Sequence, residues 1–175
     1  MEIEVRTVRA EEWPALRAFR LQALRDDAAP VAFVRTHDEE AAEPDSFWID
    51  RAANVARGET ATQVVGVADG AFAGTVIGLL EEPGSVDWAG VPIERRQVLL
   101  VGVYVAPEAR GSGLLGRLVD AVADWARGLG VDRLRLQVHA ENPRAEAAYR
   151  KLGFELTGAS VAIPVGVERE MVRGL

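Results

Sequence analysis

Gly111, Gly113 and Gly116 set a G-x-G-x-x-G pattern inside the stretch "VAPEARGSGLLGRLVDA" at residues 105–121. Without β-carbons, such a turn lets backbone N–H groups approach a phosphate, and a helix starting there adds partial positive charge. The chemistry on offer is anion binding, with three readings: a dinucleotide, another phosphate-bearing ligand, or a ligand-free strand-to-helix turn. A second stretch, "LQVHAENPRAEAAYRKLGF", pairs Asn142 with Pro143 as N-cap and first helical residue. Tyr149 follows seven residues on, two turns along, so both side chains can face one side. The chain has no cysteine and only two histidines, His37 and His139, far apart. That excludes disulfides, thiolate metal sites and a cysteine nucleophile, and leaves no histidine pair at ligand spacing. No metal is expected.

The elements that must position these residues follow from periodicity. Ile3, Val5 and Val8 suggest a first strand, and Leu16, Phe19, Leu21 and Leu24 a helix over 11–25 with Pro14 in its first turn. Residues 26–46 are polar and proline-punctuated, hence a loop or broken helix. "DSFWIDRAAN" reads as a short helix capped near Asp45 or Ser46. Asp69-Gly70 between two apolar runs signals a hairpin, and residues 81–96 form a long loop. "QVLLVGVYV" is nearly all apolar, as a central strand is. The glycine loop then opens a helix through Leu114, Leu118, Val122 and Leu129 that ends at Gly128 or Gly130. "LRLQV" is the next strand, and the Asn142 helix stops at Gly153. Two short closing strands are expected near 154–157 and 168–172. The order is β-α-α-β-β-β-α-β-α-β-β, an α/β (α+β) chain with a mixed, partly antiparallel sheet flanked by helices.

Composition bounds the rest. The chain has 175 residues, 49% hydrophobic and 27% charged, which suits one packed domain over 1–175. A net charge of −7 argues against nucleic acid as a partner. The charged, alternating N-terminus "MEIEVRTVRAEEW" is unlike a signal peptide, and "VLLVGVYVA" is too short to span a bilayer. The expectation is a cytoplasmic protein without a membrane partner. A dinucleotide fold would place its fingerprint early; here roughly a hundred residues precede it and about sixty follow. The acidic residue that would follow about twenty positions on is not cleanly present, since Asp132 precedes the next strand.

Taken with their surroundings, the two stretches resemble the GCN5-related N-acetyltransferases (GNAT). Arg110-Gly111-Ser112-Gly113-Leu114-Leu115 is similar to that family's Arg/Gln-x-x-Gly-x-Gly/Ala loop, with Leu115 at the sixth position and Gly116 next. Val138, Asn142, Ala145, Tyr149, Gly153 and Phe154 match its V-x-x-x-N-x-x-A-x-x-x-Y-x-x-x-G-F segment. The resemblance covers nearly the whole chain. It implies acetyl-CoA as cosubstrate and a primary amine, of a small molecule or a peptide, as acceptor; it leaves a homodimer open. It places the cofactor against Val103, Tyr104 and Val105, the loop Arg110, Gly111, Ser112, Gly113, Leu114, Leu115 and Gly116, and Asn142. It puts the strand carrying Val103 and Val105 apart from the strand carrying Val138, with Tyr149 as general acid toward the leaving thiolate. For the acceptor, Phe33, Trp48, Trp88 and Glu81 are the candidates, each with a plain packing or surface reading beside it. No base is assigned: Gln137 stands where one branch of the family has Glu, and Glu81, Glu82 and His139 are the alternatives. A CoA-binding sensor or inactive module, and more distantly a dinucleotide-binding protein, are the competing readings.

Overall fold

A computed structural model describes residues 2–175. The first strand β1 (Glu4–Thr7) leads through a 3-10 turn into α1 (Trp13–Ala23), with Pro14 in the first turn as expected. The segment expected as loop or broken helix holds two short helices, α2 (Ala29–Ala32) and α3 (His37–Ala41), which adds two helices to the expected order. Thr36 caps α3 by accepting the Glu39 N–H, and Glu39 bonds back to the Thr36 N–H, a capping box strong enough to nucleate one turn in a polar stretch. Helix α4 (Asp45–Arg57) begins after Pro44, with no side-chain cap, rather than on a cap from Asp45 or Ser46.

β2 (Ala61–Ala68) and β3 (Ala71–Glu81) form the expected hairpin, with Asp69 at φ 49° and Gly70 at φ 80°. Positive φ at both turn residues matches the twist of the flanking strands. Then come β4 (Gln97–Val105), α5 (Leu114–Gly128), β5 (Arg133–His139) and α6 (Pro143–Lys151). The closing strands β6 (Glu155–Ile163) and β7 (Gly166–Gly174) are longer than expected and form a hairpin. The seven-stranded sheet has the order β1-β2-β3-β4-β5-β7-β6. Only β4 and β5 pair in parallel; every other pairing is antiparallel.

α5 covers one face through Leu114, Leu118, Val119, Val122, Ala123 and Ala126, all buried. Each Leu or Val so buried contributes about 1.5–3 kcal/mol. The helix lies close: a β-carbon on Gly74 would stand 2.9 Å from Leu114 and 3.0 Å from Leu118. α1 and α4 cover the opposite face of the β1–β4 half, packing Leu16, Ala52 and Val55 on Ala61 and Val65.

Candidate active site

The middle of the sheet opens. β4 and β5 pair only at Val98↔Leu134, Leu99↔Arg135 and Leu100↔Leu136. Beyond that, β4 continues on β3 to Gly74↔Val105 while β5 continues on β7 to His139↔Glu168. The cause is visible in register: Thr75 faces Tyr104 but Ile77 faces Val101, so β4 carries one extra residue, with Gly102 at φ 59°. Such a bulge increases local twist and ends pairing. Val103 and Val105 pack on the α5 side. The Tyr104 side chain points to the opposite face, 7% exposed, against Phe19 at 5.3 Å between ring centroids. At Tyr104 only the backbone is left for a ligand in the opening.

The glycine loop stands at the end of β4. Gly111 and Gly113 adopt φ 77° and 80°, and a β-carbon on either would meet nothing within 4 Å. Gly113 is the N-cap of α5. The N–H groups of Gly111, Gly113, Leu115 and Gly116 have no hydrogen-bond partner among the described residues. Open space in front of free donors at a helix N-terminus fits a pyrophosphate. Ser112 turns its hydroxyl inward, donating to the Ala109 carbonyl at 2.6 Å and accepting from the Leu114 N–H at 3.3 Å. Two expected cofactor contacts need correction as side-chain contacts. Leu114 is 1% exposed and belongs to the core. Arg110 pairs with Asp26 and donates to the Val105 carbonyl at 3.0 Å, so it clamps the loop to the end of α1. Burial works to raise the Asp26 pKa, but the Ala28 N–H and Arg110 outweigh it and hold the carboxyl below its usual range.

Asn142 caps α6: its Oδ1 accepts from the Ala145 N–H at 3.2 Å, and its Nδ2 donates to the Val31 carbonyl at 3.4 Å. Tyr149 is 8% exposed and packs edge-on to Phe154. Burial, and then the charge of Glu168, push its phenol pKa above the usual value. Glu168 itself, on β7 opposite His139, is half-buried and makes no hydrogen bond or ion pair among the described residues. Burial pushes its pKa up. His139 offers no base: Nε2 donates to the Val165 carbonyl at 2.8 Å and Nδ1 accepts the Glu141 N–H at 3.1 Å.

On the face opposite α5, the loop after β3 folds back over β5. Glu81, expected beside the acceptor, is 6% exposed and accepts from Arg135 at 3.0 and 3.1 Å and from Gln97 at 2.8 Å. Both oxygens are committed, so Glu81 is half of a buried ion pair and not a free base. Arg135 also bonds Asp87 at 2.7 Å and Glu170 at 2.9 Å. Desolvation opposes its charge, but the carboxylates around it win and raise its pKa. Arg135, with Arg133 at 3.8 Å from Glu170, against three carboxylates leaves this floor net negative. Trp88 is 47% exposed and donates to Gln137 at 2.7 Å, so its ring borders the floor. Phe33 lies under the Arg20 guanidinium at 4.4 Å. Arg135 and Glu168 were not legible as site residues, because their partners come from other strands and from the loop. The one local hint is the alternating charge of "VEREMV".

Comparison with known proteins adds the following. The family described as "Acetyltransferase (GNAT) family" matches residues 8–154. Mycothiol acetyltransferase of Beutenbergia cavernae is 41% identical over 68 residues, 38% of this chain and 22% of that protein. The chain therefore matches about a fifth of that relative's length. A GNAT-family acetyltransferase from Streptococcus pneumoniae superposes with a TM-score of 0.77 at 19% identity, covering 99% of this chain and 100% of the other. The PaiA N-acetyltransferase of Thermoplasma acidophilum, solved with coenzyme A, does so with 0.74 at 14%, covering all of both chains. At these identities the structural likeness speaks for the fold.

Proposed function

The chain belongs to the acetyltransferase (GNAT) family, and from that premise we propose that it transfers an acetyl group from acetyl-CoA to the primary amine of a small molecule or peptide. The observation that carries the reading is the opening between β4 and β5, which has the glycine loop's free N–H groups at one end and Tyr149 and Glu168 beside β5. The pyrophosphate binds the N–H groups of Gly111, Gly113, Leu115 and Gly116, and the pantetheine arm runs along the backbone of Val103 to Val105. A backbone N–H of β4 stabilises the developing oxyanion; one such donor is worth about 3 kcal/mol.

The acceptor amine arrives as a cation, and the floor of Glu81, Asp87 and Glu170 around Arg135 favours it there. Glu168 takes its proton. A carboxylate with a raised pKa is better matched to that task than an ordinary one. The amine nitrogen then attacks the thioester carbon, the C–N bond forms, the C–S bond breaks, and the nitrogen's surplus proton passes to solvent. Tyr149 donates its phenolic proton toward the departing sulfur. Burial keeps that phenol protonated until the thiolate forms, and solvent reprotonates it afterwards.

The test is acetyl-CoA-dependent release of free thiol with a panel of amines. Turnover with at least one amine supports the reading; tight acetyl-CoA binding without turnover on any amine would replace it with a CoA sensor. Tyr149→Phe is expected to leave acetyl-CoA affinity within a few-fold and lower kcat by about 10²-fold. An unchanged kcat removes Tyr149 from the mechanism.

A further inference from the structure

The cleft bounded by α1, α4 and the centre of the sheet has a charge pattern that the reaction does not use. It is a narrow cleft open to solvent at its mouth, and Arg20, Trp48, Arg51, Thr75, Ile77 and Gly102 help to line it. Arg20 is committed to Glu40, 1% exposed, through contacts of 2.7, 3.0 and 3.2 Å. Arg51 is not committed. Among the described residues its guanidinium has no hydrogen bond and no ion pair; the Phe47 ring lies 6.0 Å away. Burial, and then the neighbouring Arg20, make its charge harder to hold and lower its pKa from the usual value. Trp48 is 2% exposed, and its indole N–H has no acceptor. A buried donor without an acceptor is unfavourable, and a partly buried cation without a counterion stands open to an anion. Here both line one cleft.

Arg20, Arg51 and Glu40 sum to one positive charge. That matches a carboxylate; a phosphate dianion would stay half-compensated. The cleft also shares a face of the sheet with the acidic floor. By strand alternation Thr75, Ile77 and Glu81 of β3 point the same way, and Ile77 and Glu81 are on the order of 13 Å apart along the strand. Gly102, in the bulge that opens the sheet, lines the cleft as well. The cleft therefore meets the opening at Gly102, while the acidic floor lies at the closed end of the β4–β5 pairing.

We propose that the cleft binds the carboxylate of the acetyl acceptor through Arg51 and the Trp48 N–H, so that the acceptor is a small amino-carboxylate with its amine in the opening beside Gly102. The proposal rests on the amine-acetylation reading. Binding and turnover test the two separately. The binding probes are butanoate, 4-aminobutanoate and 6-aminohexanoate against butylamine and hexylamine, followed by indole fluorescence and calorimetry without CoA. At least one carboxylate is expected to bind more tightly than its amine counterpart by about 10-fold or more. Arg51→Gln is expected to abolish that preference, and Trp48→Phe to weaken it about 2- to 10-fold. In turnover, Arg51→Gln raises KM for the amino-carboxylate about 10-fold or more and leaves KM for acetyl-CoA unchanged. Binding of the carboxylates no tighter than that of butylamine and hexylamine by the wild-type protein overturns the proposal, as does an unaltered preference in folded Arg51→Gln. Carboxylate binding without acetyl transfer to any amine overturns the acetylation reading and leaves the anion site standing.

Discussion

Replacing Glu81 separates structural from chemical carboxylates in this protein. Glu81→Gln keeps the shape and one acceptor oxygen but removes the charge from a pair whose side chains are both 5% exposed. Breaking a buried pair by removing one partner costs about 3–5 kcal/mol. Arg135 keeps Asp87 at 2.7 Å and Glu170 at 2.9 Å, which moves the expected cost down to about 2–4 kcal/mol. For a chain of 175 residues that lowers Tm by about 4–16 °C. Glu168→Gln is expected to do the reverse. Burial raises the folded-state pKa of Glu168 above its unfolded value, so above that pKa the ionised group costs the folded state stability. Removing its charge at pH 7 leaves Tm unchanged or higher, while kcat/KM falls about 10²-fold or more and its acidic limb disappears. The wild-type limb itself lies above the usual glutamate range of about 4.3, because the deprotonated base is the active form. The assay is a thermal melt of each variant beside kcat/KM across pH, at a temperature below both transitions. The reasoning is refuted if Glu81→Gln melts like the wild type and loses the acidic limb, for then Glu81 would be the base.

Gly74→Ala puts a methyl group 2.9 Å from Leu114 and 3.0 Å from Leu118. Overpacking of about 1–3 kcal/mol is expected in urea unfolding, with weaker acetyl-CoA binding because α5 carries the glycine loop; full stability with full affinity would mean that the helix moves freely. At low pH, Glu12, held down mainly by the Arg6 hydrogen bond, and Asp26 and Asp87, whose hydrogen bonds outweigh burial, all have lowered pKa values. Their stability is fully present above the unfolded values near 4 and is lost as pH falls through the folded ones, so Tm should drop steeply below about pH 4 and level off above pH 5.

Local patterns determined much of this protein. Asp69-Gly70 specified its hairpin because only such residues accept positive φ at both turn positions. Leu114, Leu118 and Val122 specified α5, and Asn142-Pro143 the start of α6, since caps and helical stripes are short-range physics. The glycine loop and the Tyr149 segment were legible as a family resemblance, because their spacing is local too. What the tertiary structure decided is where residues distant in sequence meet. Whether Glu81 is a free base or half of a buried pair depends on Arg135, 54 positions away on β5, with β4 between them in the sheet. The Arg110 clamp depends on Asp26, 84 positions away. Glu168 stands opposite His139 only because β7 slots between β5 and β6, and the unpaired Arg51 and Trp48 meet in one cleft only because α4 packs across the sheet. Strand order and side-chain pairing are set by the packing of the whole chain, which no local window contains.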